Sequence, residues 1–437
     1  MPLPTRRSFL AQATAGAAAS ALLSSAKLRA AGANQRVRLG LVGCGNQGKA
    51  HQKALATLED AELVYVCDVD NSRVEEAVAR TGAKPVTDLR RIFDDASIDG
   101  VIFAVPDHWH VPGALLALEA GKHVYVEKPC SYNFREGQLL GEAVRKHKKV
   151  FQHGTQSRSS RGMQQAIGLL HEGLIGDVLI AKCWNWQKRK NIGHLSPSEP
   201  PPGVDYDTWV GPAQWLPFQA NRFHYNWHWW YDFGAGGMGN DAVHELDYAL
   251  WGLGVTEHPS TITGLGGIYY FDDDRQWPDT QQVTFEYPGN GSLGAKRMLI
   301  YEQRLWSTSY PYNVDSGAEY YGTKGKMFLS KRGKIEAFDG SKKRIKLPIE
   351  PSSVKPTVAD NEQNWMDCIR SGEVTNAPIE AALRTATAIH LGNISTRLER
   401  TLRFDIQKEQ IIGDDQATAM LTRKYRKEGH WAVPGAV

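Results

Sequence analysis

A glycine-rich turn near the start of the 437-residue sequence carries its clearest chemical pattern. Residues 43–48 read Gly-Cys-Gly-Asn-Gln-Gly; a compact apolar stretch leads into them, and helical spacing begins at Lys49. Between a strand and a helix, such a turn directs backbone N–H groups and the helix N-terminus at a pyrophosphate. We therefore predict a dinucleotide site. Its predicted binding residues in the turn are Gly43, Gly45, Asn46, Gln47 and Gly48.

An acidic residue, Asp68, ends the next apolar stretch and lies twenty residues after Gly48. A carboxylate at this place bonds the ribose 2′-hydroxyl of NAD and repels the 2′-phosphate of NADP. Arg73 follows five residues later and is the type of side chain that accommodates that phosphate. The pattern favours NAD as the cofactor and leaves NADP as the alternative.

Strand-like and helix-like stretches alternate through the first part of the chain. The five apolar, strand-like stretches lie at 37–43, 61–70, 98–106, 122–129 and 149–154. Strands that alternate with helices of ten to fifteen residues indicate βαβ units and a parallel sheet. We place this Rossmann dinucleotide-binding domain at 34–154.

Beyond residue 154 the pattern changes to strand-like stretches joined by hairpin signals, such as PGNG at 288–291. This predicts an α+β domain at 155–405 with a large, mostly antiparallel open sheet. An open sheet face favours self-association, so we expect a homo-oligomer, a dimer or a tetramer. We expect the last segment, 406–437, to form a tail that packs back on the body.

The composition is that of a globular chain, with 41% hydrophobic residues and a net charge of +3. The sequence has no Lys/Arg stripe, so we do not expect a nucleic-acid partner. The first segment, 1–33, places Arg6 and Arg7 before an Ala-rich apolar run that is too short for a stable membrane span. This pattern matches a twin-arginine export signal. We predict a periplasmic or secreted protein with no membrane span in its mature form; an Arg-rich arm on a cytosolic protein is the alternative.

Cysteine and histidine spacing does not predict a disulfide framework or a metal site. The five cysteines form no CxxC pair, so we expect small buried residues. His224 and His228 have HxxxH spacing, but their stretch has no helical period and no Glu or Cys in ligand register. The acidic run at 272–274 is interpreted as a solvated turn.

Two further motifs narrow the interpretation. Glu127-Lys128-Pro129 ends the fourth strand-like stretch, at the edge where open parallel sheets bind ligands. The stretch GGMGNDAVHELDYALWGLG at 236–254 places His244 on a helix, with Asn240 one turn before it. With the glycine-rich turn, these motifs resemble the glucose–fructose oxidoreductase / inositol dehydrogenase / rhizopine catabolism (Gfo/Idh/MocA) family over nearly the whole mature chain. The predicted cofactor-binding residues at the ends of the third and fourth strands are Pro106, His108, His110, Glu127 and Lys128.

The resemblance implies an NAD(P)-dependent oxidoreductase that acts on the CH–OH group of a carbohydrate, a small molecule, and exchanges a hydride with nicotinamide. It implies that Lys128 hydrogen-bonds the reacting hydroxyl and that His244 is the general base or acid. Many dehydrogenases of the family carry an aspartate four residues before that histidine. Here Asn240 takes that place, and Asp241 beside it would point elsewhere on a helix. Most of the proton transfer would then fall to His244.

Two alternatives stay open. Glycosidases similar to this family oxidise a sugar transiently with NAD, eliminate the aglycone and reduce the intermediate again, and an exported enzyme with retained NAD would suit that cycle. The other alternative is a sugar sensor that binds the cofactor without catalysis.

The stretch NRFHYNWHWWYDF at 221–233 contains seven aromatic residues among thirteen. Aromatic faces stack on sugar rings and the polar neighbours bond hydroxyls, so we predict one wall of the substrate cleft, with some rings packed in the core. Trp227, Trp229 and Trp230 are the predicted sugar-stacking residues. The full predicted substrate set is Asn226, Trp227, His228, Trp229, Trp230, Asn240, Asp241 and His244.

Overall fold

The computed structural model describes residues 36–426 and 429–435, and the predicted export signal lies outside the described residues. The first domain contains a six-stranded parallel sheet with the strand order β3-β2-β1-β4-β5-β6. This confirms the predicted Rossmann arrangement, in which the strand order reverses beside β1. The strands are β1 Val37–Val42, β2 Ala61–Cys67, β3 Lys84–Val86, β4 Gly100–Phe103, β5 His123–Val126 and β6 Phe151–His153.

Helices connect these strands, and side-chain caps begin two of them. Asp70 accepts the backbone N–H of Ser72, and Asn133 accepts that of Glu136, which satisfies donors that the helix itself leaves free. Strand β3 was missed because three residues are too few for a periodic pattern. The helices are α1 Asn46–Leu55, α2 Asn71–Thr81, α3 Arg90–Asp94, α4 Asp107–Glu119 and α5 Phe134–His147.

The second domain contains a ten-stranded sheet in the order β14-β13-β12-β11-β7-β10-β9-β8-β15-β16. Only the pairing of β7 with β10 is parallel among the described strand pairs of this sheet, which confirms the predicted, mostly antiparallel architecture. The strands are β7 Val178–Asn185, β8 Thr261–Gly267, β9 Thr280–Tyr287, β10 Arg297–Arg304, β11 Ser316–Gly322, β12 Gly325–Ser330, β13 Lys334–Asp339, β14 Arg344–Ile345, β15 Leu402–Asp405 and β16 Gln410–Ile411.

The longest helix of this half of the chain joins the two hydrophobic cores. Its first half contributes Ala382 and Ala386 to the core of the first domain, and its second half contributes Ile389 and Ile394 to the core of the second. The helix is therefore buried on nearly all sides, with Thr385, His390 and Asn393 among its buried polar residues. The helices are α6 Arg161–His171, α7 Tyr206–Val210, α8 Gly236–Asn240, α9 Val243–Leu253, α10 Val358–Ser371, α11 Ile379–Leu398 (the joining helix) and α12 Asp415–Ala419, with short 3₁₀ helices at Gln156–Ser159, Asn226–Trp229, Pro311–Asn313 and Pro351–Val354.

Helix α10 lies far along the chain but packs against the first domain. Trp365 and Met366 are buried in the same core as Leu39 and Tyr125. The sequence pattern showed that this helix is amphipathic, but it could not show which sheet its apolar side covers.

A buried hydrogen-bonded triad fixes α10 to α1 and to the end of β5. The imidazole of His51 lies between Glu362, 2.7 Å from Nδ1, and Glu127, 3.1 Å from Nε2. Both ring nitrogens can donate only when the ring is protonated. Burial alone would lower the pKa of His51, but the two carboxylates raise it to about 9. Burial alone would raise the pKa of Glu127, but the hydrogen bond and charge of His51 lower it to about 2.

All five cysteines are buried, as predicted for small packed residues.

The acidic run at 272–274 is not simply a solvated turn, so that prediction is wrong for two of its residues. Asp273 forms an ion pair with Arg275 at 2.7 Å, with both side chains buried, and Asp274 accepts from the Asn221 amide at 2.9 Å. Among the helices within 36–426 and 429–435, none combines the length and the apolar character that a membrane crossing needs.

The triad predicts a strong effect of His51 on stability. Replacing His51 with leucine leaves two buried carboxylates without their cation, and we expect the free energy of unfolding to fall by about 3–5 kcal/mol in urea titrations at pH 6. Lys49→Ala is the matched control, because it removes a cation from the same helix but from an exposed pair with Glu76. The loss there should stay below about 1 kcal/mol.

The same triad determines how the stability of the fold changes with pH. The pKa of His51 rises from 6.5 in the unfolded chain to about 9 in the folded one. The stability that its protonation contributes is therefore complete below pH 6.5 and is lost as the pH rises through 9. An equal loss of stability for the leucine and alanine variants would contradict this role of His51.

Candidate active site

A cavity of about 520 Å³ runs along the carboxyl edge of the first sheet and is closed by loops of the second domain. It lies where an open parallel sheet binds its ligand, at the reversal of strand order. Both domains thus contribute to one site. The predicted residues that line it are Gly43, Gly45, Asn46, Gln47, Asp68, Pro106, His110, Trp227, His228, Glu127, Lys128, Asn240 and Asp241.

The glycine-rich turn packs too closely for side chains at two positions. Gly43 has φ +92°, and a Cβ there would lie 2.2 Å from the Ala104 carbonyl oxygen. A Cβ on Gly48 would lie 2.0 Å from the carbonyl oxygen of Gly43. Gly48 is therefore needed for the approach of α1 to the turn and lies outside the cavity lining, contrary to its predicted ligand contact. Within the part of the chain that the structure describes, no side chain caps α1, so N–H groups of its first turn are available to an anion.

Asp68 lies at the end of β2 with its carboxylate at the cavity. One oxygen accepts the N–H of Cys44 at 2.7 Å, and the other accepts that of Asp70 at 3.1 Å. Burial raises the pKa of this carboxyl above its usual value, against these hydrogen bonds and the charge of Arg73. The Asp68 carboxylate thus lies next to the glycine-rich turn. The carboxylate fits the ribose of NAD, and the turn fits its pyrophosphate.

Lys128 projects from the end of β5 into the same cavity. Its Nζ donates to the Asn240 carbonyl oxygen at 2.6 Å, and this is its only hydrogen bond to the described residues. Two of its three N–H donors are therefore left for a ligand. Asp107 lies nearby: burial raises the pKa of its carboxyl to about 7, against the opposite effect of the Lys128 ammonium. The next bond along the chain, to Pro129, is a cis peptide.

Glu127 lines the cavity, and its carboxylate holds neighbouring groups of the protein in position. It accepts from the Gln47 amide at 2.8 Å and from the backbone N–H of Lys128 at 3.2 Å, in addition to its bond with His51. The glycine-rich turn and Lys128 are thereby held in a fixed relation. We interpret Glu127 as a positioning residue.

The predicted helix around His244 is broken. Asn240 ends α8 and Val243 begins α9, so Asn240 is not one turn before His244 on one continuous helix. Asp241 lines the cavity and pairs with the Arg189 guanidinium. Burial alone would raise the pKa of Asp241, but Arg189 holds it below its usual value.

Two predicted histidines lie outside the residues that line the cavity. His244 is half-buried beside it, and burial, with the charges of Lys331 and Lys128, holds its pKa well below the usual value, so its ring is neutral near pH 7. His108 is buried, with Nε2 2.9 Å from the Trp209 carbonyl oxygen, so we correct its predicted cofactor contact to a packing role. His110 does line the cavity and lies between the carbonyl oxygens of Val105 and Pro129.

The aromatic stretch divides between the cavity and the core. Trp227 and His228 line the cavity, and the Nε2 atom of His228 has no hydrogen-bond partner among the described residues. Trp229 and Trp230 do not reach the cavity and are buried in an aromatic cluster, so their predicted sugar-stacking role is wrong. Asn226 also lies outside the lining and donates to a backbone carbonyl of its own loop.

An arginine lies near each of these two inward-facing tryptophans. The Arg275 guanidinium lies 5.1 Å from the centre of the Trp229 ring, and that of Arg222 lies 5.8 Å from the Trp230 ring. Each ring therefore gains a cation–π contact in addition to apolar packing.

Sequence reasoning missed several residues of the cavity. His224 and Tyr225 line it from the second domain, and His224 has φ +62° with Nε2 2.8 Å from an Asp70 carboxylate oxygen. Arg90, at the start of α3, and Trp431, near the end of the chain, line it from the opposite side. The only signal in the sequence was the aromatic density around His224; the other residues come together through long-range contacts.

The parallel sheet, the glycine-rich turn and the α+β domain that completes the cavity define a two-domain, dinucleotide-dependent oxidoreductase. Residues 37–155 match the sequence profile of the oxidoreductase family with an NAD-binding Rossmann fold, and residues 164–287 and 302–432 match that of its C-terminal α/β domain. The chain belongs to the Gfo/Idh/MocA family of oxidoreductases. The predicted family, enzyme class and cofactor, NAD, are thereby confirmed.

Individual relatives show how far the likeness extends. Scyllo-inositol 2-dehydrogenase (NAD(+)) of Bacillus subtilis is 24% identical over 85% of this chain and 98% of its own. Alpha-N-acetylgalactosaminidase of Shewanella oneidensis is 30% identical over 37% of this chain, and only 38% of its own length is covered.

Two solved structures share the fold. The WlbA dehydrogenase of Bordetella pertussis, in complex with NADH and UDP-GlcNAcA, has a TM-score of 0.66 at 18% identity, over 85% of this chain and 98% of its own. Levoglucosan dehydrogenase, in complex with NADH and L-sorbose, has a TM-score of 0.65 at 18% identity, over 84% and 99%.

The position of Asp68 predicts cofactor selectivity. Asp68→Ala removes the charge that would face a 2′-phosphate, so we expect the ratio of the Kd values for NADPH and NADH to fall roughly tenfold or more. Titration of each reduced cofactor by fluorescence measures the ratio. Asp68→Asn is the control for the turn, because its side-chain oxygen still accepts a backbone N–H. A ratio that stays at the wild-type value in both variants would remove Asp68 from this role.

Proposed function

We propose that this protein is an exported NAD(H)-dependent dehydrogenase of a sugar or polyol hydroxyl. The observation that carries the proposal is the position of Lys128 in one cavity with the glycine-rich turn and Asp68. The ammonium would then contact the reacting oxygen beside the nicotinamide end of the cofactor. The near full-length likeness to an inositol dehydrogenase and the fold shared with sugar dehydrogenases support the same substrate class.

In the proposed reaction, Lys128 orients the reacting hydroxyl and stabilises the negative charge that develops on its oxygen. A fixed ammonium is effective there because Asn240 and Glu127 position it before the substrate arrives. Bound NAD supplies the acceptor of the hydride.

Two groups beside Lys128 suit the remaining tasks. His244 has a neutral ring near pH 7 and can accept a proton from the hydroxyl directly or through a water. Asp241, kept ionised by Arg189, can accept hydrogen bonds from neighbouring substrate hydroxyls. Together they favour a neutral, polyhydroxylated substrate, because the Asp241 carboxylate would repel an anionic group.

Self-association is part of the proposal. The outer face of the second sheet carries apolar side chains between charged ones, including Ile180 paired with Met298 in register, and Leu265 with two-thirds of its surface exposed. A face of this kind supports a symmetric homo-oligomer.

Export rests on the twin-arginine pattern alone. Replacement of Arg6 and Arg7 by lysines should hold the protein in the cytoplasm at its full length, whereas the wild-type chain should be recovered from the periplasm with an N-terminus near residue 31 to 34. Cell fractionation and N-terminal sequencing measure both. Equal distribution of the two forms would support the cytosolic alternative.

Lys128 provides the test of the dehydrogenase. Lys128→Met keeps the aliphatic stem and removes the charge, so we expect kcat to fall by about 10²–10⁴-fold while the Kd for NADH stays within a few-fold. The substrates are a panel of sugars and polyols, with NADH formation followed by absorbance. The exposed Lys296 provides the matched control, Lys296→Met, and should be unaffected.

The same assay separates the alternatives. A dehydrogenase forms one NADH for each substrate oxidised, whereas a redox-assisted glycosidase releases an aglycone from a nitrophenyl glycoside without net NADH. Full activity of Lys128→Met would exclude the proposed mechanism. NADH binding by the wild type without turnover of any substrate in the panel would favour the sensor.

A further inference from the structure

The end of the chain is anchored to the first domain by a buried ion pair. Arg423 lies 2.7 Å from Glu136 of α5, and both side chains are almost fully buried. The Tyr425 hydroxyl donates to the same carboxylate at 2.7 Å, and Arg423 also donates to the His108 carbonyl oxygen. Arg423 and Tyr425 are therefore fixed next to α4 and α5.

A second set of contacts fixes the position of Trp431. Arg426 pairs with Asp207 of α7, and Ala432 is buried in the core of the first domain. Trp431 lies between these anchors, with its ring centre 5.6 Å from that of Trp109. Its indole is thus held at the mouth of the cavity, which it lines.

Trp431 forms a composite surface with Arg90. The guanidinium carbon of Arg90 lies 4.4 Å from the centre of the Trp431 ring. The carboxylate of Asp88 holds the same guanidinium from its edge, with Nη2 at 2.7 Å and Nε at 3.0 Å. All three residues line the cavity.

The strand order shows which part of the dinucleotide this surface faces. The turn after β1 fits the pyrophosphate and Asp68 after β2 fits the adenosine ribose, while Lys128 after β5 lies toward the opposite end. Asp88 and Arg90 follow β3, the next strand beyond β2. The adenine must therefore lie on the side of Arg90 and Trp431.

We infer that Trp431 and Arg90 form the adenine-binding wall, so that the C-terminal tail is part of the cofactor site and retains NAD. Planar guanidinium and indole groups are suited to a flat base, which stacks on either. A dinucleotide at this wall is enclosed by the tail as well as by both domains. The inference rests on NAD binding, and it adds a determinant of cofactor retention to the proposed function.

The test measures cofactor binding rather than turnover. Trp431→Ala should raise the Kd for both NADH and ADP-ribose by about tenfold, as expected for loss of an aromatic base contact. Isothermal titration of each ligand gives the Kd, and stopped-flow fluorescence gives a faster NADH release. Trp431→Phe keeps an aromatic plane and should restore most of the affinity.

Trp215→Ala is the matched control. Trp215 is also half-exposed and also packs on a tail arginine, Arg426 at 5.0 Å, but it lies outside the residues that line the cavity. If loosening the tail were sufficient, this variant would lose affinity equally, and the wall would be rejected. Unchanged ADP-ribose affinity in Trp431→Ala would also overturn the inference.

Two further readouts keep the result unambiguous. If Trp431→Ala loses secondary structure by circular dichroism, Trp431→Leu replaces it, since leucine keeps apolar contact with Trp109 but has no plane. The same outcomes then apply. Failure of the proposed dehydrogenase is seen separately, as wild-type protein that binds ADP-ribose and NADH but oxidises no sugar or polyol.

Discussion

The carboxylate of Glu127 is buried where β5 ends, and the surrounding structure is arranged to compensate its charge. His51 from α1, Gln47 from the start of the same helix and the N–H of Lys128 all donate to it, and Glu362 of α10 binds the far side of the imidazole. A buried charge is tolerated only when partners surround it in good geometry. Because those partners come from three elements, the turn, the lysine and α10 are all placed by one electrostatic requirement.

This requirement makes the cavity a property of both domains. The glycine-rich turn and Lys128 form one side of the cavity, at the edge of the first sheet. The opposite side is formed by residues of the second domain that pack against this edge. The Asn240 carbonyl bonds the Lys128 ammonium, and His224 bonds Asp70 beside the ribose position. The joining helix α11, shared by the two cores, limits how far the domains can separate. The chemistry is therefore assembled by fixed contacts on opposite sides of the cavity.

Sequence patterns predicted the parts of this arrangement that depend on short-range order. The parallel sheet, the turn and the placement of Asp68 and Lys128 at strand ends follow from alternating periodicity and from the topology of open sheets. The break between Asn240 and Val243 was not predicted, because glycine-rich and polar residues there are compatible with one continuous helix. His51, Glu362 and Trp431 were not predicted as partners either, since each depends on contacts far apart in the chain.

In the aromatic stretch at 221–233, residues of the same type have different roles, and packing decides which of them face the cavity. Trp227, Trp229 and Trp230 are chemically equivalent, yet only Trp227 lines the cavity. Trp229 and Trp230 are instead buried in the aromatic cluster, where Arg275 and Arg222 lie 5.1 and 5.8 Å from the centres of their rings. With 2% and 4% of their surfaces exposed, Trp229 and Trp230 have no ring face free to stack on a sugar. Packing within the cluster thus decides which rings are left for the ligand. Aromatic density in the sequence predicts a wall of the cavity but does not show which rings face it.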